Sequence, residues 1–295
     1  MTHRLNRTTI WISFLVLAFA PLQAQTKHPA SGLVLKVDRA KQLITVSCQE
    51  IPGYMDAMVM TFQMRATKPM EGLAPGVNID FTLEANKGQS YANDVRIHPF
   101  QSLELDPTQA QRLKLMEELV APNGASKALA PGESVPDFSL TDQTHRSIKL
   151  SQFSGKVVAL TFIYTRCPLP DYCFRLSNNF GQLQKRFRAR MANDLVLLSV
   201  VIDPAHDQPA ALADYARTWK ADSNSWHFLT GPLPQIEQMA RGFDMNFYPD
   251  EALFVHSFHT VVIDRQGKLA ANLEGNSFSA KQLGDLVEAL MAKAN

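Results

Sequence analysis

Apolar and polar residues alternate with a period of two in five short stretches near the start of the chain: "GLVLKVD" (32–38), "LITVS" (43–47), "MVMTFQM" (58–64), "NIDFTLE" (78–84) and "SYANDVRI" (90–97). Asp, Lys, Gly and Asn part them, so each stretch predicts a strand with one buried face. Five strands within roughly seventy residues, uninterrupted by any helix-length pattern, predict a small all-β domain over 25–100, an OB-like five-stranded barrel. The period then changes. "LDPTQAQRLKLMEELV" offers Asp106 as N-cap, Pro107 at the first helical position, and Leu113, Met116, Leu119 and Val120 on one face. "APNGASKALAPGE" breaks that helix, so 101–131 reads as a helix and linker between two domains.

From 132 to 295 the pattern is α/β. "VVALTFIY" (157–164) and "LVLLSVVID" are continuous apolar runs, as strands buried on both faces require. Leu176, Phe180, Leu183 and Phe187 recur at helical spacing, so a helix is expected to begin near Cys173; "PAALADYARTWK" predicts a second. "TVVIDRQGKLAANL" reads as a hairpin turning at Gln266 and Gly267. Ser279 then caps a last helix with Leu283, Leu286, Val287 and Leu290 inward. A strand delivering cysteines to a helix start, then βα, then ββα, is the order of a thioredoxin-like domain.

Composition sharpens the picture at the N-terminus. Arg4 and Arg7 precede the short apolar run "IWISFLVLAFA", with a small residue, Ala24, at a plausible cut, so 1–24 reads as an export signal. The run is shorter than the ~20 residues of a spanning helix, an uncleaved membrane anchor being the other reading. Its removal takes away two arginines and no acid, moving the net charge from +1 to about −1. Lysines and arginines are scattered without a basic stripe, which argues against nucleic acid as a partner. There is no phosphate-binding G-x-x-x-x-G-K or dinucleotide fingerprint. Three cysteines in an exported chain leave at least one unpaired or with a task of its own.

Two of them, Cys167 and Cys173, lie in "YTRCPLPDYCFRL". A thiol at a helix N-terminus ionises readily, and the thiolate is both nucleophile and metal ligand. A staple is the weakest use, because so small a loop constrains the unfolded chain little. His256 and His259, in "EALFVHSFHTVVIDRQG", stand just before a strand whose leading loop faces the cysteine turn in a thioredoxin arrangement. Two thiolates and an imidazole suit copper. A redox pair and a metal site are both compatible with this spacing.

The stretches "VPDFSLTD", "YTRCP", "SVVIDPAHDQPAALADYA", "WHFLTG" and "HSFHTVVIDRQG", in that order, resemble the Sco/SenC family, thioredoxin-fold copper proteins that help assemble cytochrome oxidase. The resemblance implies metal ligands at Cys167, Cys173 and His256, and does not extend to His259. It departs at one point. The family spaces its cysteines C-x-x-x-C-P; here five residues intervene, with Pro168 after the first cysteine and Phe174 after the second. The wider loop increases the weight of a redox use.

The N-terminal domain carries its own soft donors. Met58, Met60, Phe62 and Met64 alternate on one strand face, and Cys48 closes the strand before. Methionine filler in a core would give the same pattern; one thiolate with two thioethers would instead hold Cu(I) or Ag(I). Residues 32–98 resemble CusF-like periplasmic copper-binding domains, which place a histidine at a strand end and M-x-M on the next strand. The resemblance puts Cys48 at the histidine position, Met58 and Met60 at M-x-M, and Met55 where a covering residue sits.

The expectation is a periplasmic copper metallochaperone, with copper passed to an acceptor such as a cytochrome oxidase subunit and a thioredoxin-like reductant keeping the thiols reduced. The competing expectation is a thiol–disulfide oxidoreductase with Cys167 as nucleophile and Cys173 as resolving thiol. A peroxidase fits less well, since Thr165 stands only two residues before Cys167. Asp203, His206 and Asp207 in "IDPAHDQP" read as a cap and turn, and His98, His145 and His227 suggest no partners.

Overall fold

The computed structural model describes residues 26–65, 70–86, 88–98, 107–120, 128–251 and 253–292. The expected signal and Asp106 lie outside these residues. Among the described residues no helix is long and apolar enough to cross a membrane.

The five alternating stretches form β1 (Thr26–Asp38), β2 (Leu43–Cys48), β3 (Val59–Met64), β4 (Asn78–Asn86) and β5 (Gln89–Ile97), closed into a barrel in the order β1-β2-β3-β5-β4. Val34, Ile44, Val46, Phe62, Met64, Ile79, Phe81 and Leu83 fill its interior. Strand β1 serves two neighbours, its first part pairing with β4 and its second with β2, and Gly32 at the crossing faces both Ile79 and Cys48. The crossing is tight: a Cβ there would sit 2.6 Å from the Ser47 carbonyl oxygen.

Helix α1 (Pro107–Val120) follows. Its expected apolar face is only partly used: Leu113 is buried, whereas Leu119 is 71% exposed.

The second domain is built on a seven-stranded sheet ordered β14-β13-β8-β9-β10-β6-β7. In chain order it comprises β6 (Ser139–Asp142), β7 (Ser147–Lys149), β8 (Val157–Ile163), α2 (Arg175–Arg186), β9 (Leu195–Val201), α3 (Pro209–Thr218), β10 (Trp226–Thr230) and α4 (Leu233–Gly242). A separate hairpin of β11 (Phe247–Asp250) and β12 (Leu253–His256) precedes β13 (His259–Ile263), β14 (Leu269–Glu274) and α5 (Ala280–Met291). Strands β8, β9 and β10 run parallel and every residue in them is buried, as their unbroken apolar runs demand. Antiparallel β13 borders β8, completing a thioredoxin-like sheet. Gly267 turns the β13–β14 hairpin at φ 74°. The Ser279 side chain caps α5, accepting from the Gln282 N–H, while Gln282 Oε1 accepts from the Ser279 N–H.

The domains meet directly, away from the helical joint the sequence suggested. Leu33 and Leu35, on the outer face of β1, join the core of the second domain. Ser47 Oγ donates to Asp285 on α5 at 2.7 Å, and Gln282 Nε2 donates to the Ser47 carbonyl at 3.3 Å. A Cβ at Gly76 would come within 3.0 Å of Ala271 Cβ on β14.

Candidate metal and thiol sites

Strand β8 ends in the cysteine loop, and its parallel neighbour β9 ends beside it, so the segments after both strands share one edge of the sheet. There Asp207, fully buried, accepts from the Thr165 N–H at 3.0 Å and from Thr165 Oγ1 at 2.5 Å. Asp203 accepts from Arg166 at 2.7 Å and lies 2.9 Å from His206 Nδ1. The "IDPAHDQP" stretch is therefore more than a turn. Gln208, not Asp207, is the N-cap of α3, and the two aspartates clamp the residues just before Cys167. The clue available in the sequence was two acids directly after a buried strand.

Between the cysteines, Pro170–Phe174 form a wide helical turn with Tyr172 off helical angles (φ −111°, ψ −110°), and α2 begins only at Arg175. That kink absorbs the long spacing. Cys167 thus precedes the helical turn instead of sitting at the N-terminus of α2, and its acidity has another main source. Hydrogen bonding from Cys173 brings the Cys167 thiol down to about 6, with help from the Leu169 backbone and Tyr164 and against the cost of burial. The same contact, then burial, pushes Cys173 well up. Cys167 is partly exposed and Cys173 is buried. All three cysteines are free thiols.

Tyr164 touches both a thiol and the histidine. Its hydroxyl bonds Cys167 and accepts from the Phe254 backbone, and its ring meets His256 edge-on with centroids 5.9 Å apart. His256 ends β12. Its Nδ1–H donates to the Ser257 carbonyl at 2.9 Å, which leaves the lone pair on Nε2, the arrangement of a metal-ready imidazole. Burial holds its pKa down to about 4, so the ring is neutral. Among the described residues no three His, Cys, Asp or Glu side chains are grouped closely enough to share an ion. The two thiols are hydrogen-bonded to each other, and His256 meets the Tyr164 ring. His259 is buried in β13, its Nδ1 2.9 Å from Asn272 Oδ1. His227 pairs with buried Asp142 and His98 with Asp80, partners separated by 85 and 18 positions that the sequence did not reveal.

In the barrel, the Cys48 N–H donates to the Met58 carbonyl at 2.9 Å, extending the β2–β3 ladder in which Val46 faces Met60. Cys48, Met58 and Met60 therefore share the inner-face register at one end of the barrel. Met60 and Met55 are partly buried against the barrel core, Cys48 is within it, and Met58 is 47% exposed. Burial pushes the Cys48 thiol up to about 12, countered only in part by Lys281. A soft cation would have to displace that proton.

Two family models match the chain, SCO1/SenC at residues 126–292 and the copper binding periplasmic protein CusF at 27–96. The chain belongs to the SCO1/SenC family, with a CusF domain fused in front. Copper is the metal that both families bind. The mitochondrial SCO2 homolog of Bos taurus is 29% identical over 163 residues, 53% of this chain and 59% of its own length. Protein sco1 of Schizosaccharomyces pombe is 26% identical over 153 residues, 48% of this chain and 55% of its own. The chain spans less than two thirds of the length of these curated relatives. Among solved structures, a SCO1/SenC family lipoprotein from Bacillus anthracis shares 23% identity at a TM-score of 0.49, covering 56% of this chain and 99% of its own. Yeast Sco1 with copper bound shares 22% at a TM-score of 0.47, covering 57% and 91%.

Proposed function

We propose that this protein is an exported copper metallochaperone of the periplasm with two sites. The barrel takes Cu(I) through Cys48, Met58 and Met60, with Met55 covering. The thioredoxin-like domain takes copper through Cys167, Cys173 and His256 and yields it to an acceptor such as a cytochrome oxidase subunit. The observation that supports this reading is a low-pKa thiol paired with a second thiol next to Tyr164, whose ring in turn meets a neutral imidazole with a free Nε2 lone pair. Sulfur and imidazole donors of this kind select copper over hard cations. The test is copper stoichiometry of the reduced protein lacking 1–24. Two ions bind; Cys48→Ser removes one and Cys167→Ser the other. Wild-type uptake no greater than that of the Cys167→Ser protein defeats the assignment of the second site.

The asymmetry of the two thiols favours a second reading, thiol–disulfide exchange. The Cys167 thiolate attacks a partner disulfide and one partner sulfur leaves as thiolate. Cys173 then loses its proton and displaces the other, so the partner is reduced and the pair is oxidised. A thioredoxin-like protein would return the electrons. His256→Ala separates the two readings: copper retention collapses if the site is a metal site, whereas exchange is only slowed if it is a redox site.

A further inference from the structure

Helix α1 lies between the two family matches, which end at 96 and begin at 126, so neither family accounts for it. It packs on β11 and β12, the hairpin that ends in His256. Arg112 pairs with Asp250 at the hairpin tip, while Leu113 is 9% exposed on a helix whose Leu115 and Leu119 stand in solvent. The hairpin is a sheet of its own, outside the seven-stranded sheet. At its base the Ser257 N–H donates to the Asn246 carbonyl and the Asn246 N–H to Ser257 Oγ, both at 2.9 Å. Along its length Tyr164 bonds the Phe254 backbone. The flank of the hairpin packs on the domain core through Phe247 and Phe254, and its tip is held by α1.

With α1 docked, the imidazole is not grouped with the two thiols. A contact that stabilises one position of an arm disfavours any ligand that requires another, by as much as the contact is lost. We propose that α1 is a latch: it holds the His256 hairpin away from Cys167 and Cys173 and so weakens retention of copper at that site. The latch rests on the reading of that site as a copper site. Arg112 and Leu113 are its positioning residues and touch no metal.

The experiment uses the reduced protein carrying Cys48→Ser, which silences the barrel. Cu(I) affinity is measured by competition with a chromophoric chelator, and hydrogen exchange is followed at hairpin amides 247–256. Arg112→Glu with Leu113→Asp is expected to speed exchange at the hairpin and tighten Cu(I) binding roughly tenfold, the scale of one exposed ion pair and part of a leucine burial. The tightening should vanish in a His256→Ala background. The swap of Arg112→Asp with Asp250→Arg should restore parental affinity. If the Cys48→Ser parent binds Cu(I) and the freed-helix variant binds it equally or more weakly, the latch is wrong and the copper site stands. A parent that binds none above a Cys167→Ser control overturns the copper site, and the latch with it.

Discussion

Cys167 and Cys173 are one amino acid in two chemical states. The first is partly exposed, and its proton is lost near pH 6 because Cys173 hydrogen-bonds its sulfur; the second is buried and holds its proton far more tightly. Only thiolate reacts with an alkylating agent. Iodoacetamide is therefore expected to modify Cys167 at a rate that rises through about pH 6 and levels off by about pH 8. Cys173, and Cys48 with its pKa of about 12, should stay unmodified in the native protein. Mass spectrometry after brief labelling checks this, and labelling of Cys173 ahead of Cys167 would refute it. All three cysteines and His256 could be picked out from the sequence as candidate donors, and two of them, Cys48 and His256, end strands. The inequality of the thiols could not be, because it arises from contacts across a kinked turn.

At the scale of elements, periodicity served the chain well. The strands of the barrel, the buried β8 and β9, and the capped α5 all follow from burial of one face or of both. The β11–β12 hairpin escaped, since strands of four residues are too short to establish a period. The long β1 is one strand in sequence but belongs to two pairings in space, and Gly32 makes that possible. Gly32→Ala puts a methyl against Ser47 and Cys48 backbone atoms that cannot move aside. It is expected to destabilise the barrel by about 1–3 kcal/mol in denaturant melts. On the proposed assignment of the two copper sites, it should also abolish binding at Cys48 while sparing that at Cys167. Retention of both ions at unchanged stability would contradict this account of the crossing.

For the whole molecule, the joint between domains is decided at Asp285. Its carboxylate, 6% exposed, accepts from Ser47 of the barrel at 2.7 Å, and from Lys281 and Arg186 at 2.8 Å each. Burial alone would raise its pKa, but those hydrogen bonds outweigh burial and hold it below the ordinary value. Its contribution to stability is then complete above the unfolded value near 4 and fades as pH falls through the lower folded value. Asp285→Ala should cost about 1–3 kcal/mol at pH 7 by stranding Ser47. The gap from wild type should narrow below about pH 4. Thermal melts across that range provide the check, and a gap independent of pH would rule out the carboxylate as the joint.

The sequence by itself determined the two domain types, the strands and the capped last helix, and marked out the cysteines and His256 as candidates for chemistry. Each of these is recorded by near neighbours, as a period, a cap or a spacing. Only tertiary structure decided that Asp207 clamps the cysteine loop from 42 positions away and that Ser47 meets Asp285 from 238 away. It also decided that α1 rests on the hairpin bearing His256. Such contacts leave no periodic trace, because the partners come together only after both domains have buried their cores.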